Sequence, residues 1–296
     1  MGLFGRSRQS VGLDIGSGYV KLVVIDHSGA EPQITLIETS PLDPDASEEG
    51  RIMGPVLVAE TVRSVAERVG IRKQTVVTAV GGHDVIIKKI EMDRASEADT
   101  RVLIRWEAEQ HVPFDMEGVQ LDFEILDPEG DSPQMSVLLV AAKREVVDNK
   151  IALLADAGLS ASIIDVDAFA LHNAFERSYP DEQRGLVALI NVGNETTNVN
   201  LLHDGVPVLV RDLPFGSRRL REALQRERGL SAEEADDMIQ GRSQAAELRS
   251  FVADRVDELA LGVERAAAFL TSGGAEIGRV FLSGGGARVT GLADAL

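Results

Sequence analysis

The segment from Val11 to Asp26, Val-Gly-Leu-Asp-Ile-Gly-Ser-Gly-Tyr-Val-Lys-Leu-Val-Val-Ile-Asp, limits what this chain can fold into more than any other stretch. Two apolar runs flank a turn built on Gly16, Ser17 and Gly18, which is the pattern of a β-hairpin. Glycine tolerates positive φ and close approach, so the N–H groups of this turn can point at an anion. Asp14 at the end of the first run is placed to hold a hydrated cation, and Lys21 is placed to reach a phosphate. The chemistry is that of a phosphate-binding hairpin. It differs from the P-loop, whose glycine-rich turn opens a helix and carries Gly-Lys-Ser/Thr.

Around this hairpin the periodicity predicts an antiparallel meander at 11–16, 20–26 and 33–39, then a polar loop from Pro41 to Gly54. Val58, Val62, Val65, Ala66 and Val69 have helical spacing, and Thr75 to Val80 reads as a buried strand closed by Gly81-Gly82. The next section reads as a unit of its own. A strand at 85–90 precedes a helix at 96–111, with Ser96 as N-cap and Asp99 at N3. That helix is expected to bury Val102, Leu103, Trp106 and the stem of Gln110, and Pro113 stops it. Strands at 119–126 and 135–142 and an amphipathic helix at 144–158 follow, giving a small α+β unit that interrupts the first lobe.

The second half repeats the first in degenerate form. A strand entering a turn at 185–191 is followed by strands at 197–203 and 206–211. Residues 215–273 read as helical, with turns near Gly229 and Gly241 and with Ser231 as a helix cap. A strand at 279–282 then runs into Ser283-Gly284-Gly285-Gly286-Ala287.

Composition narrows the function classes. The 296 residues carry 48 acidic against 30 basic side chains, a formal charge of −18, which argues against a general nucleic-acid binder. The run Glu233-Glu234-Ala235-Asp236-Asp237 reads as a solvated helix face. The absence of cysteine excludes disulfides, thiolate metal sites and a cysteine nucleophile, and five scattered histidines without an HExxH pattern speak against catalytic zinc. No stretch approaches the roughly 20 apolar residues that cross a bilayer, so a cytoplasmic location is expected. Met1 to Arg8 reads as a disordered leader, with membrane-surface contact through Leu3 and Phe4 as the weaker alternative.

Three turns therefore each follow an apolar strand: Asp14-Ile15-Gly16-Ser17-Gly18, Asn191-Val192-Gly193-Asn194-Glu195-Thr196-Thr197, and Ser283-Gly284-Gly285-Gly286-Ala287. In this order they resemble the phosphate-one, phosphate-two and adenosine motifs of the actin/Hsp70/sugar-kinase superfamily. Within it, Ile104-Arg105-Trp106-Glu107-Ala108-Glu109-Gln110-His111-Val112-Pro113-Phe114, Asp165-Val166-Asp167-Ala168-Phe169-Ala170-Leu171, Phe281 to Arg288 and the Gly-Leu-Phe leader are similar to the PilM family of type IV pilus assembly proteins, relatives of FtsA. The fold class this implies is α/β, two-lobed and actin-like (ribonuclease H-like), with duplicated mixed sheets and an α+β insertion in the first lobe. The implied division is 1–83 and 160–184 for the first lobe, 84–159 for the insertion, 185–214 and 276–296 for the second lobe, and 215–275 for a helical subdomain.

The resemblance implies a nucleotide scaffold binding ATP or ADP with Mg2+. Phosphate binding falls to Asp14, Gly16, Ser17, Gly18, Tyr19, Lys21, Gly193, Asn194, Glu195, Thr196 and Thr197, and adenosine to Gly284, Gly285, Gly286, Ala287 and Arg288. Asp14 and Asn191 take the water-mediated metal position. The implied partner is the N-terminal cytoplasmic tail of PilN, an inner-membrane protein, bound in a groove that Arg105, Trp106, Pro113 and Phe114 would line. For Trp106 and Phe114 the competing reading is that both are core aromatics. Contacts with other pilus-machine components, self-association and peripheral inner-membrane association through the partner are further implications.

Two positions depart from the pattern. Asn191 stands where active superfamily members carry Asp, and an amide brings no negative charge to a cation site, so weak or absent hydrolysis is expected. Ile239 stands where the family's Glu-Leu-Lys-like segment places a lysine on the nucleotide. The resemblance also implies further sheet, and a helix returning to the first lobe, beyond Leu296. The alternatives left open are a small-molecule kinase using Asp165 or Asp167, and an FtsA-like filament protein.

Overall fold

The computed structural model describes residues 9–48, 51–71, 74–242, 245–271 and 276–296. The leader at 1–8 lies outside them. β1 (Gln9–Ile15), β2 (Tyr19–Asp26) and β3 (Gln33–Pro41) form the expected meander. The stretch read as a loop carries a short ladder of β4 (Ser47–Glu48) and β5 (Arg51–Ile52). Proline at the first position of α1 (Pro55–Arg68) presets helical φ without losing a hydrogen bond. With β6 (Thr75–Val80) parallel to β1, the first sheet gains its mixed character. Val11, Leu13, Val20 and Leu22 alternate onto one face and pack on Val58, Val62 and Val65 of α1. Each such buried aliphatic side chain contributes about 1.5–3 kcal/mol.

The insertion consists of β7 (Val85–Asp93), α2 (Glu97–Glu109), β8 (Val119–Ile125) and β9 (Gln134–Lys143), with sheet order β7-β9-β8. Ser96 caps α2 as expected, accepting from the Asp99 N–H at 3.2 Å. The buried face of α2 is not the one expected. Thr100, Ile104 and Ala108 turn inward, whereas Val102, Leu103 and Trp106 are 68%, 43% and 67% exposed, and Gln110 is exposed as well. At about 100° per residue, Trp106 lies on the far side of the helix from Ile104. The sequence offers two apolar stripes on this helix, and the sheet takes the one in phase with Val112 and Met116, which continue the same core.

α3 (Arg144–Asp156) also corrects an expectation. Its Leu153 and Leu154 join the first-lobe core with α1, not the core of the insertion, so the packed insertion ends with β9 rather than at 159. β10 (Ser160–Val166) returns parallel to β6 and completes the first sheet in the order β10-β6-β1-β2-β3. α4 (Asp167–Ser178) starts at its end and lays Phe175 on Val187, Leu189 and Leu202 of the second lobe.

The second sheet combines β11 (Leu186–Val192), β12 (Thr197–His203), β13 (Val206–Leu213) and, after the helices, β14 (Ile277–Ser283). Its order β13-β12-β11-β14 reproduces β3-β2-β1-β6, parallel step included, which makes the duplication structural. α5 (Ser217–Arg228), α6 (Ala232–Ile239) and α7 (Ala245–Thr271) cover it, and α8 (Leu292–Ala295) follows the glycine turn. The acidic run on α6 is partly engaged: Glu234 completes a capping box with Ser231, and Asp237 pairs with Arg242 at 2.5 Å.

Candidate functional site

The duplicated hairpins line one cleft of about 2430 Å³ between the lobes. Both turns close in the same way. The Gly16 N–H donates to the Tyr19 carbonyl at 3.1 Å, and the Gly193 N–H donates to the Thr196 carbonyl at 2.9 Å. Behind each turn stands one cross-strand pair, Asp14 opposite Lys21 and Asn191 opposite Asn198. Lys21 Nζ donates to Asp14 Oδ2 at 2.5 Å. On the second sheet a carboxylate appears one strand further out. Asn198 Nδ2 donates to Oδ1 of Asp212, its neighbour on β13, at 3.0 Å.

Glycine lets the three turns crowd together. A Cβ on Gly18 would stand 2.9 Å from Asn194 Cγ, so the first turn rests on the second only because Gly18 has no side chain. Gly284 has φ +84°, and a Cβ there would stand 2.3 Å from Asn191 Oδ1 and 2.4 Å from the Val192 carbonyl. The third turn is thus held against the second. Gly284, Gly285 and Arg288 face the cleft, while Gly286 is buried against Val192 and Ala287 lies beside it.

Asp14, Gly16, Ser17, Gly18, Tyr19, Lys21, Asn191, Gly193, Asn194 and Thr196 all line the cleft. Glu195 and Thr197 are turned away. Glu195 takes a hydrogen bond from Arg218 at 2.8 Å, and the Thr197 hydroxyl donates to the Phe215 carbonyl at 2.8 Å. Glu195 braces the second turn on α5, and Thr197 braces it on the segment just before that helix. Arg105, Trp106, Pro113 and Phe114 do not line the cleft. Arg105 donates to the Met116 carbonyl at 2.8 Å, Trp106 points outward, and Phe114 packs on the insertion core beneath Lys143, whose Nζ lies 4.9 Å from the ring centre. The core reading therefore holds for Phe114 and not for Trp106.

The cleft also contains groups that the motifs do not mark. Arg221, Glu222 and Gln225 of α5 line one wall, with Arg221 donating to Asn194 Oδ1 of the second turn at 3.2 Å, and Ile239, itself 8% exposed, lines the cleft too. At the other end Asp167 opens α4, pressed so closely on the β6–β7 turn that a Cβ on Gly81 would stand 2.3 Å from its Oδ2. Desolvation on folding pushes the Asp167 carboxyl up to about 6; Lys150 opposes the shift, and Asp14, Asp212 and Asp165 add to it. Cleft water still reaches this side chain. Lys150, on α3, is held below the usual ammonium range by burial, against the pull of Asp167 and Asp14. Its sequence signal is a lysine inside the apolar stripe Val146, Leu153, Leu154, Ala157.

The insertion is rooted at the same end. Gly81 to Asp84 lead into β7, and β9 returns at Lys143, whose N–H donates to the Asp84 carbonyl at 2.9 Å and whose Nζ donates to Asp84 Oδ1 at 2.5 Å. The lining of the cleft continues past this root to Arg51, Ile52 and Pro55.

The sequence profile of the type IV pilus assembly protein PilM family matches residues 12–296. Among solved structures, one of a PilM-PilN type IV pilus biogenesis complex is similar to this chain at 28% identity, over 98% of this chain and 85% of that one, with a TM-score of 0.83. The ethanolamine utilization protein EutJ from Carboxydothermus hydrogenoformans matches at 17% identity over 98% and 81% of the two chains, with a TM-score of 0.62. MreB5 of Spiroplasma citri bound to AMPPNP matches at 12% identity over 98% and 88%, with a TM-score of 0.55. The last two similarities concern the fold alone. On the actin-like fold that these relatives share, the chain belongs to the type IV pilus assembly protein PilM family.

Proposed function

We propose that this chain is a nucleotide-holding adaptor of a type IV pilus machine that takes the N-terminal cytoplasmic tail of a PilN-type membrane protein. The observation that carries this reading is the continuity of the cleft from the three glycine turns to the root of the insertion. The solved PilM-PilN complex of a 28% identical relative supports the partner, and the AMPPNP-bound MreB5 supports the ligand class. The residues present fit ATP or ADP. The N–H groups at Gly16–Gly18 and Gly193–Thr196 suit the phosphates, and the wall formed by Gly284, Gly285, Arg288 and α5 suits the adenosine. Asp14 is the carboxylate for a hydrated Mg2+. Asn191 adds no charge, which favours holding the nucleotide over hydrolysing it.

For the tail, the side of the first lobe beside the insertion root presents Ile52, Met53, Val56 and Leu57, which are 36%, 59%, 67% and 46% exposed. An extended peptide gains affinity from main-chain hydrogen bonds and from pockets for alternate side chains, and this apolar shelf supplies the pockets. No helix among the described residues is long and apolar enough to cross a membrane, so in this reading membrane association comes through the partner. The outward stripe of Val102, Leu103 and Trp106 on α2 is left for another pilus component or a second copy.

A fluorescent peptide from the partner's N-terminal tail, titrated with the protein with and without ATP, tests the reading. Binding at about micromolar Kd or tighter is expected, and Leu57→Glu should weaken it about tenfold. No binding, together with ATP turnover stimulated by a sugar or an acid, overturns the adaptor in favour of a small-molecule kinase.

A further inference from the structure

We propose that Lys150 is the residue by which the cleft distinguishes a nucleoside triphosphate from a diphosphate, its ammonium meeting the terminal phosphate between the first glycine turn and Asp167. The assignment rests on the nucleotide reading above and extends it to a residue outside the three turns.

The cleft has two unlike ends. One is walled by the third turn, which follows β14 at one edge of the second sheet, and the other by Asp212 on β13 at the opposite edge, with Asp14, Asp165 and Asp167 lining the cleft from the first lobe. With the base at the first end, a phosphate chain crossing the two glycine turns runs toward the carboxylates. A terminal phosphate arriving there meets several like charges at once. It needs a cation of the protein. Lys21 is one such cation, and here it is paired with Asp14, its Nζ 2.5 Å from Asp14 Oδ2. Lys150 lines the same end and makes no ion pair within 4 Å among the described residues, although Asp14 and Asp167 both act on its charge. The carboxylates hold it charged without closing a contact.

Packing alone does not account for a lysine here. Position 150 falls on the apolar stripe of α3, between Val146 and the buried Leu153 and Leu154, where leucine or methionine would bury its area without desolvating an ammonium. Burial works against the charge, as the lowered ammonium pKa reflects. A costly charge kept in a cleft beside a glycine turn is explained by an anionic ligand. Asp167 is the counterpart that makes the site selective. Pressed against Gly81 at the start of α4, it repels any phosphate that Lys150 does not hold.

Titration calorimetry of the full chain with AMPPNP and with ADP, each with Mg2+, tests the assignment on wild type, Lys150→Met and Lys150→Arg. Lys150→Met should lose about tenfold or more in AMPPNP affinity and less than about threefold for ADP, while Lys150→Arg stays within about threefold of wild type for both. Equal losses for the two nucleotides, or none, overturn the assignment while leaving the nucleotide reading intact. A wild type that binds neither nucleotide overturns both. Should Lys150→Met fail to give a cooperative melt, Lys150→Gln, which keeps a polar end, carries the same comparison.

Discussion

The two hairpins that face each other across the cleft share a topology and a turn, yet they are built for different work. In the first, Gly16 has room: an added Cβ would find its nearest neighbour, the Tyr19 carbonyl, at 3.4 Å. Its strand pair is ionic, and both Asp14 and Lys21 are about half open to water. In the second, a Cβ on the equivalent Gly193 would stand 2.6 Å from the Thr196 carbonyl, and one on Gly216 would stand 2.3 Å from the Asn194 carbonyl. Its strand pair, Asn191 and Asn198, is neutral. One hairpin keeps charge and slack and can change contacts when a ligand arrives. The other is a fixed wall, pinned by Arg218 through Glu195 and by Thr197 through Phe215. Between the two copies, charge sits with the first and tight backbone packing with the second.

The largest test of this contrast is steric. Gly193→Ala should destabilise the protein by about 2–3 kcal/mol in urea unfolding, because the clashing atom is backbone and cannot swing away. Gly16→Ala should cost less than about 1 kcal/mol. Equal costs would mean that the second turn is no tighter in solution than the first. Next comes charge. Asn191→Asp gives the second hairpin the carboxylate it lacks and should raise Mg2+-dependent ATP turnover about tenfold, about 1.4 kcal/mol of barrier. An unchanged rate would show that a different missing group limits hydrolysis.

Much of this asymmetry can be read from the chain. Asn at 191 against Asp at 14 is visible in the sequence, and so are all three turns, because glycine after an apolar run is a local signal. The duplication followed from the repeated strand pattern, and the two-lobed fold from the family resemblance. What could not be read was set by tertiary choices between local options. On α2 both Ile104 and the Val102–Trp106 stripe are apolar, and only the phase of the sheet beneath decides which goes inside. α3 follows the insertion without a break in the chain, and its allegiance to α1 is settled by Leu153 and Leu154 meeting Val62 and Val65. Lys150 and Asp212 lie outside the three glycine motifs and reach the cleft only through packing; the interrupted apolar stripe marks Lys150 as unusual without saying what it faces. Glu195 and Thr197 show the opposite failure: they sit inside a motif, but their side chains serve the wall.

The smallest effect concerns the charge gathered at the first-lobe end of the cleft. Asp167 has a folded pKa of about 6 against an ordinary 3.8, because desolvation disfavours its charged form. The folded state thus binds this proton more tightly than the unfolded chain does. The sign follows: the carboxyl costs stability in full above about pH 6, and the cost fades as pH falls toward 3.8, where both states are protonated. Asp167→Asn removes the titration while keeping the shape. It should be more stable than wild type at about pH 7.5, by less than about 1 kcal/mol because cleft water screens the group, and the gain should vanish near pH 4. A gain independent of pH would locate its source in packing. A loss at about pH 7.5 would mean that attraction to Lys150 outweighs desolvation, and the first hairpin would then stand beside a satisfied ion pair instead of a charge held ready for a ligand.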